Sequence, residues 1–260
     1  MRTDFDRVVE ESEGIDLPFE AAVFIIDKPA GPSSFKMVSG VRRALGIKRV
    51  GHAGTLDPFA TGLLVVCAGR PATRMISKMM DGQKEYLATL CLGVETDTLD
   101  PEGAVIARHP VGLLRAERIE ECLRSFRGQQ LQVPPCYSAL KHNGKPLYYY
   151  ARQGIEIVKA PRLVFIETLE RTDDGLDLPG GEVVHLSLRV VCSKGTYIRS
   201  LAADIGRVLG CGAYLSQLRR IKSGCFNVKD SLPGSELFLP DARHRLLTMA
   251  LSVDDITNLL

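Results

Sequence analysis

The apolar positions of this chain follow two different periods. Short apolar runs and one strictly alternating stretch predict strands, at residues 22–27, 63–68, 86–93 and 183–192. Apolar residues spaced three and four apart predict amphipathic helices, at residues 35–45, 114–126 and 198–209, with a shorter helix from 70 to 82. Strands and helices therefore interleave along most of the chain.

The first predicted helix has one apolar and one basic side. Its apolar side is predicted to consist of Phe35, Val38, Val41 and Leu45. The other side carries three cations, Lys36, Arg42 and Arg43, and Lys48 and Arg49 follow the helix. These cations form either an ordinary solvated face or a set of phosphate contacts.

The stretch GHAGTLDPFATG, residues 51–62, interrupts the pattern just before a buried strand. It contains three glycines and a single carboxylate, Asp57, which precedes Pro58. A residue before proline is disfavoured in the helical region, so Asp57 is predicted to be presented from a loop. A loop attached to a central strand is a common place for a catalytic group. The alternative is an Asx turn, in which the carboxylate bonds its own backbone.

Two further positions carry chemistry at the ends of predicted strands. Tyr86 begins one strand, and Tyr197 and Arg199 lie where the alternating strand passes through Ser193-Lys194-Gly195 into a helix. Functional sites of α/β folds form at such strand-to-helix junctions. From the pattern alone, Tyr86 is equally a core tyrosine and Arg199 a cation on the surface of a helix.

Residues 133–161 are predicted to be an irregular, basic insertion. Five lysines or arginines between residues 134 and 162 face a single acid, Glu156, and the segment includes the run Tyr148-Tyr149-Tyr150. Tyrosines beside cations suit base stacking and phosphate contact in RNA recognition. The alternative packs Tyr148, Ala151 and Ile155 into the core. A long insertion of this kind is typical of an arm that closes over a substrate.

Composition narrows the class of protein. The chain has 260 residues with 45% hydrophobic and 25% charged residues, which is ordinary for a soluble protein. Residues 1–20 carry a net charge of −5, so the remaining 240 carry +7, a balance compatible with an anionic partner such as nucleic acid. No apolar run has membrane-spanning length, and residues 1–20 lack a signal-peptide pattern. We therefore expect a cytoplasmic protein that does not bind a membrane.

Several common chemistries lack their motifs. The seven cysteines are scattered without a C-x-x-C pair, and the five histidines lack ligand spacing, so reduced thiols and no metal site are predicted. The phosphate-binding G-x-x-x-x-G-K-[ST], the dinucleotide-binding G-x-G-x-x-G after a strand, G-x-S-x-G and H-E-x-x-H are all absent. Nucleotide hydrolysis, dinucleotide redox chemistry and zinc hydrolysis therefore lose support.

Six segments in order resemble one enzyme family. They are DKPAGPSSF, GHAGTLDPFATGLLVVCAG, KEYLATLCLGVETDT, VPPCYSALKHNGKPLYYYARQGIEI, CSKGTYIRSLAADIG and LSQLRRIKSGCF, and together they span about residues 22–235. The combination resembles the TruB-type tRNA pseudouridine-55 synthases, and the segment YSALKHNGKPLYYYARQGIE resembles their stand-alone bacterial branch. The resemblance implies a mixed α/β catalytic fold with a long mixed sheet, a central active cleft and an inserted RNA-clamping arm.

The same resemblance implies roles for individual residues. Asp57 matches the catalytic aspartate, and Tyr86 matches the tyrosine that stacks on the target base near its C5 proton. Tyr197 and Arg199 match the pair that closes the pocket, with the arginine ion-paired to the aspartate. Leu218 matches an apolar pocket residue, and His52 matches a residue associated with the flipped-out RNA loop. The residues predicted to contact RNA are Lys28, Lys141, Lys145, Arg152, Arg219 and Arg220.

The predicted domain organisation follows. Residues 1–20 are expected to be a flexible acidic lead-in, residues 21–240 the catalytic domain with the arm at 134–160, and residues 241–260 a short C-terminal segment. That segment is too short for the RNA-binding PUA domain in which the family often ends, so the chain is either a short form or truncated. The partner implied is tRNA, through its T stem-loop, and a monomer without guide RNA or protein partner is expected.

The chemistry implied agrees with the missing motifs. Conversion of uridine 55 to pseudouridine breaks N1–C1′ and joins C5 to C1′, so no metal or other cofactor is required. A single ionised carboxylate is needed, and an arginine partner favours its charged form. One alternative is an RNA-binding folding helper without catalysis. A glycosidase would need a second carboxylate, and the sequence offers no convincing one.

Overall fold

The computed structural model describes residues 20–138, 140–151, 153–155, 157 and 159–260. The predicted acidic lead-in, apart from Glu20, and the predicted RNA contact Arg152 lie outside these residues. The side chain of Lys141, another predicted RNA contact, also lies outside the description.

The strands within the described residues are mostly short, and the longest ones form the middle of one sheet. They are β1 (Ala22–Lys28), β2 (Val50–Ala53), β3 (Thr61–Ala68), β4 (Lys84–Leu92), β5 (Val94–Thr96), β6 (Val105–Arg108), β7 (Gly128–Gln132), β8 (Lys141–His142), β9 (Lys145–Pro146), β10 (Arg162–Arg171), β11 (Val184–Cys192), β12 (Ala213–Ser223), β13 (Phe226–Asn227) and β14 (Leu232–Pro233).

The α-helices are of similar modest length. They are α1 (Ser34–Leu45), α2 (Arg70–Arg74), α3 (Ile76–Asp81), α4 (Ala116–Ser125), α5 (Leu147–Ala151), α6 (Ile198–Leu209), α7 (Ala242–Thr248) and α8 (Val253–Leu259). The helix predicted over residues 70–82 is thus two short helices. The last twenty residues are more ordered than predicted, since α7 and α8 bury Leu246 and Ile256 in the core.

One mixed sheet organises the fold, with strand order β14-β1-β3-β12-β4-β11-β10-β7. β1 pairs with β14 and β3 pairs with β12 in parallel, whereas the pairs around β4 are antiparallel. β2 pairs with β3 in antiparallel orientation, and β13 pairs with the end of β12. The prediction of a mixed α/β fold with a long mixed sheet is confirmed.

Three buried clusters hold the helices to the sheet. One lies beneath α4 and α6, a second lies beneath α1, and a third joins α2, α3 and α8 to the sheet. On β12, Arg220 pairs with Tyr86 of β4 on one side and with Gly62 of β3 on the other, and paired residues lie on the same face of a sheet. Gly62 is two residues from Leu64, which packs beneath α1 on that face. Helix α1 and Tyr86 therefore lie on the same face of the sheet.

The buried side of α1 differs from the prediction. Ser33 caps the helix, and the stripe that faces the core consists of Ser34, Met37, Val38, Val41 and Leu45. Phe35 falls outside this stripe and is 62% exposed, with the Arg42 guanidinium 5.4 Å from its ring centroid. The prediction that Phe35 packs inward is wrong because the buried stripe passes through Ser34, and Phe35 lies about 100° further around the helix, on the solvent side.

Two segments that were not predicted to be strands belong to strands. The start of the glycine-rich stretch forms β2, in which His52 pairs with Val66, so only residues 54–60 remain a loop. The basic run at residues 219–222, which contains the predicted RNA contacts Arg219 and Arg220, lies within β12, where neighbouring side chains point to opposite faces. Its members therefore do not form a single surface.

Candidate active site

The loop that carries Asp57 is held from both sides of that residue. On one side, the Ser34 hydroxyl accepts from the N–H of Leu56 and donates to its carbonyl, both at 2.9 Å. On the other side, the carbonyl of Pro58 accepts from Lys28 Nζ and from the N–H of Gly31, also at 2.9 Å. The Asp57 backbone is thereby positioned by the end of β1 and the start of α1.

Arg199 is the partner of the Asp57 carboxylate. Its Nε lies 2.9 Å from Oδ2 and its Nη2 3.3 Å from Oδ1, so the carboxylate faces the guanidinium. The Arg199 side chain is 4% exposed, whereas that of Asp57 is 33% exposed. The carboxylate is therefore paired on one side and open to the cleft on the other, as a group that must meet a substrate requires.

A second buried carboxylate, Asp100, lies against the same guanidinium. Its Oδ2 is 3.1 Å from Arg199 Nη1, and both side chains are 4% exposed. Arg199 also donates to the carbonyls of Thr98 and Tyr137, at 2.9 and 2.7 Å. Every nitrogen of the guanidinium thus has an oxygen neighbour, which fixes its position relative to Asp57.

Asp100 is a site residue to which the sequence alone does not point. Residues 97–103 have the pattern of a turn-rich loop, and the available signal is that Asp100, like Asp57, precedes a proline. Asp100 is the second carboxylate that the glycosidase alternative lacked. It is buried against Arg199 and does not face Asp57 across open space, as a glycosidase pair would.

Burial raises the pKa of Asp57 above its usual range, because the charged form loses hydration. The Arg199 guanidinium opposes this shift, the Asp100 charge adds to it, and Lys28 again opposes it. Arg199 and Lys28 therefore favour the charged form of the Asp57 carboxylate against the effect of burial.

Tyr86 and Leu218 form the apolar part of the site. Both are buried, in one cluster with Leu56 and Ala60 from either side of Asp57. Burial raises the pKa of Tyr86, so its phenol remains protonated at neutral pH. The structure therefore places an aromatic ring and an apolar side chain in the same cluster as the loop of Asp57.

Tyr197, immediately before α6, is held by an unpredicted glutamine. The buried side-chain amide of Gln132 accepts from the N–H of Tyr197 at 2.7 Å and donates to its carbonyl at 3.0 Å. The ring of Tyr197 lies 4.4 Å from the Arg162 guanidinium. Ser200 donates to the Val133 carbonyl at 3.0 Å, so the end of β7 positions the start of α6.

Two predicted RNA contacts are corrected by the structure. Lys28 is fully buried and donates to the carbonyls of Pro29, Pro32 and Pro58 at 2.8–2.9 Å. Arg220 is also buried and donates to the carbonyls of Leu63 and Gly54, at 2.7 and 3.0 Å. These cations are withdrawn from the surface because backbone oxygens of distant segments satisfy them.

Arg219 and His52, two further predicted site residues, lie in different surroundings. Arg219 is partly exposed and forms two bonds with Asp27, at 2.9 and 2.7 Å, so much of its charge is neutralised. His52 is half-buried on β2. Burial, and to a smaller extent the Arg220 charge, lowers the pKa of His52, which favours a neutral imidazole.

The described part of the arm presents a cation and tyrosines at its surface. Lys145 Nζ lies 4.1 Å from the ring centroid of Tyr149 and donates to its hydroxyl at 2.9 Å. The Tyr150 hydroxyl donates to the His142 carbonyl at 3.1 Å. Ile155 is exposed, so the alternative that placed it in the core is not supported.

Known proteins identify the family of this site. The model of the TruB family pseudouridylate synthase N-terminal domain matches residues 42–198, which include Asp57 and Tyr86. The chain belongs to the TruB family of pseudouridylate synthases. The model of the tRNA pseudouridylate synthase B C-terminal domain matches residues 199–237, which include Arg199 and Leu218. Both matched segments contribute strands to the same sheet of this family member.

Relatives from bacteria are similar along most of the TruB-family chain. It is 62% identical to the tRNA pseudouridine synthase B of Desulfotalea psychrophila over 242 residues, which cover 93% of this chain and 98% of that relative. It is 44% identical to the tRNA pseudouridine synthase B of Syntrophotalea carbinolica, covering 86% of this chain and 72% of that relative.

Solved structures support the fold. The crystal structure of a Cbf5-Nop10-Gar1 complex matches with a TM-score of 0.63 and 26% identity, over 92% of this chain and 62% of that one. That of the archaeal box H/ACA sRNP Nop10-Cbf5 complex matches with a TM-score of 0.64 and 24% identity, over 96% and 65%. This TruB-family chain thus spans slightly less than two thirds of those chains.

Two further observations concern metals and membranes. Within the described residues, no group of three or more His, Cys, Asp or Glu side chains could hold a metal ion. None of the helices in that part of the TruB-family chain is long and apolar enough to cross a membrane.

Proposed function

We propose that this protein converts uridine 55 in the T arm of tRNA to pseudouridine, with Asp57 as the catalytic carboxylate. The observation that carries the proposal is the Asp57 carboxylate, open on one side and held on the other by a buried Arg199. It lies on the glycine-rich loop within the segment matched by the TruB family model.

The reaction moves a base without a net change in its atoms. The N1–C1′ bond breaks, the uracil turns, the C5–C1′ bond forms, and the proton that leaves C5 is balanced by one gained at N1. Asp57 supplies the negative charge that must contact the nucleoside, and Arg199 keeps that carboxylate ionised and oriented.

Tyr86 and Leu218 supply the surface that receives the base. The target uridine lies in a folded loop, so it must leave its stack before it reaches Asp57. Stacking on an aromatic ring is worth about 1–3 kcal/mol per base and offsets part of that cost. Tyr86 would provide the stacking and lie near the C5 proton, and Leu218 would exclude water beside it.

Capture of the T loop is assigned to the arm. Lys145 and Tyr149 are exposed there as a cation and a ring in contact, which suits phosphate and base contacts together. Tyr197, stacked on Arg162, would close the pocket on the opposite side, and His52 would contact the loop from which the uridine is extruded.

We also infer that the protein acts on tRNA alone, without a guide RNA or a protein partner, and as a monomer. Relatives at 44–62% identity are named tRNA pseudouridine synthase B. The Cbf5 assemblies match at only 24–26% identity. The arm segment that resembles the stand-alone bacterial branch supports the same inference.

Tritium release from a tRNA transcript labelled at uridine C5 tests the proposal. Wild type should release one tritium per tRNA, Asp57→Asn should release none, and both should bind the transcript. Asp81→Asn is the matched control, because Asp81 is an exposed acid paired with Lys194. Unchanged turnover by Asp57→Asn would exclude Asp57, and binding without release by wild type would favour a folding helper. Replacement of uridine 55 by cytidine should abolish release from the wild type.

A further inference from the structure

The exposed side of α1 is a basic surface that the proposed catalytic site does not use. From Lys28 to Leu56 the chain contains six lysines or arginines and no acid. Three of these cations lie on α1 itself, where Lys36 and Arg43 are exposed and Arg42 is half-buried. With Phe35 and Phe238 they form what we call the α1 basic face.

Aromatic rings hold the cations of this face in place. Lys36 Nζ and the Arg43 guanidinium lie 5.6 and 5.3 Å from the ring centroid of Phe238, and Arg42 stacks on Phe35. Phe35 and Phe238 are 62% and 38% exposed. Arg42 donates to the Val50 carbonyl at 2.8 Å, whereas Lys36 and Arg43 are exposed, so stacking on Phe238 pre-organises these two cations for an anionic ligand.

No carboxylate of the described residues forms an ion pair with the α1 basic face. Among the described residues, no acid lies within ion-pairing distance of Lys36, Arg42 or Arg43. The nearby acids Glu236 and Asp241 bond to Arg245 instead, at 2.8 and 2.7 Å. Stability does not explain Lys36 either, because the first turn of a helix disfavours positive charge and α1 has no acid there.

The α1 basic face begins beside the catalytic loop. Ser34, the first residue of α1, bonds to Leu56, the neighbour of Asp57. The twelve residues of α1 extend about 18 Å from that point. Because α1 and Tyr86 share one face of the sheet, an RNA with its uridine at Asp57 has backbone within reach of the helix.

We propose that the α1 basic face binds the phosphate backbone of the tRNA helix next to the T loop. The contact is to phosphates because a tRNA stem is an A-form helix, whose deep and narrow major groove side chains cannot read, so exposed cations meet its backbone. It supplies affinity and orientation and takes no part in the bond changes at Asp57. The proposal rests on tRNA being the substrate.

The test compares the salt dependence of tRNA binding. Lys36→Gln/Arg43→Gln removes two cations, and removal of each phosphate contact should reduce the slope of log Kd against log salt by about one. Between 50 and 200 mM salt, wild type should therefore lose about tenfold more affinity than the double variant. The single-turnover rate at saturating tRNA should remain unchanged, since Asp57 and Arg199 are untouched.

Two controls separate this contact from general effects. Arg207→Gln removes a 75% exposed cation from the far end of α6, where it pairs with Asp204, and should leave the slope unchanged. Lys36→Arg/Arg43→Lys keeps both charges and should restore the wild-type slope. An unchanged slope in the glutamine variant, or an equal change with Arg207→Gln, overturns the proposal. Binding is measured without turnover, so a failure of the proposed reaction remains distinguishable.

Discussion

Removal of the Asp100 charge tests whether Arg199 is positioned by two carboxylates. Asp100→Asn keeps the Oδ1 acceptor used by Thr98 Oγ1 and by the N–H of Glu102, at 2.5 and 3.0 Å. It removes the charge that lies 3.1 Å from Arg199 Nη1. Hydrogen bonds to buried charges contribute about 1.5–3 kcal/mol, and Arg199 retains Asp57, so we expect a loss of about 2 kcal/mol in the free energy of unfolding.

The same variant should alter catalysis in two ways. A guanidinium held only by Asp57 and two carbonyls is less well oriented, and a misplacement of about 1 Å costs up to about a hundredfold in rate. We therefore expect tritium release to fall between about tenfold and a hundredfold at neutral pH. Because the Asp100 charge raises the pKa of Asp57, its removal lowers that pKa, and the acid limb of the pH–rate profile should move to lower pH.

The assays are urea unfolding and single-turnover tritium release between pH 5 and 8. Asp97→Asn, an exposed acid in the same loop, is the matched control and should change neither quantity. Burial and the Asp100 and Asp57 charges also raise the pKa of Glu102, so the profile is repeated with Glu102→Gln in both backgrounds. A pH–rate profile of Asp100→Asn identical to that of wild type would refute the electrostatic reasoning. Unchanged stability would refute the structural part.

Substitutions at two further positions, Gln132 and Tyr86, probe the pocket walls. Gln132→Leu leaves the N–H and carbonyl of Tyr197 unpaired, so it should cost about 1–3 kcal/mol in the free energy of unfolding and slow turnover. The exposed Gln129→Leu on the same strand should change neither quantity. Equal effects of the two variants in urea unfolding would contradict the role assigned to Gln132. Tyr86→Phe keeps the ring and should keep tRNA affinity within about twofold, but should slow tritium release if the phenol acts on the C5 proton. Tyr86→Ala should lose about 1–3 kcal/mol of stacking, and unaltered binding by that variant in filter assays would exclude the stacking role.

Local pattern was sufficient for four strands, β1, β3, β4 and β11, and for most of α1 and α6, but it missed the two longest strands of the described residues, β10 and β12. It failed at β2, because a strand of Val50, Gly51, His52 and Ala53 has little apolar alternation, and only its pairing with β3 stabilises it. The phase of α1 was also missed. The hydroxyl of Ser34 faces inward only because Leu56, twenty-two residues away, supplies both of its partners.

The site was predicted by resemblance to a family, and its supporting residues were not. Asp57, Tyr86, Tyr197 and Arg199 lie within recognisable motifs. Asp100 and Gln132 were missed because each acts through contacts with residues more than sixty positions away. Such contacts leave no period in a single sequence, so only the assembled sheet brings them together.

The buried cations explain how the Asp57 loop is held. Arg220 bonds the carbonyl of Gly54 before Asp57, and Lys28 bonds that of Pro58 after it. Both were predicted to contact RNA, and charged side chains are rarely fully buried. Here each is satisfied by backbone oxygens, so each fixes the loop without neutralising a carboxylate.

The cations near Asp57 affect its ionisation during catalysis. Arg199 and Lys28 both lower the pKa of Asp57, against the opposing effects of its burial and of the Asp100 charge. An approaching tRNA brings phosphates that would raise the pKa of Asp57, as does the loss of water when the pocket closes. Arg199 and Lys28 oppose both effects, which favours the ionised carboxylate when the uridine arrives.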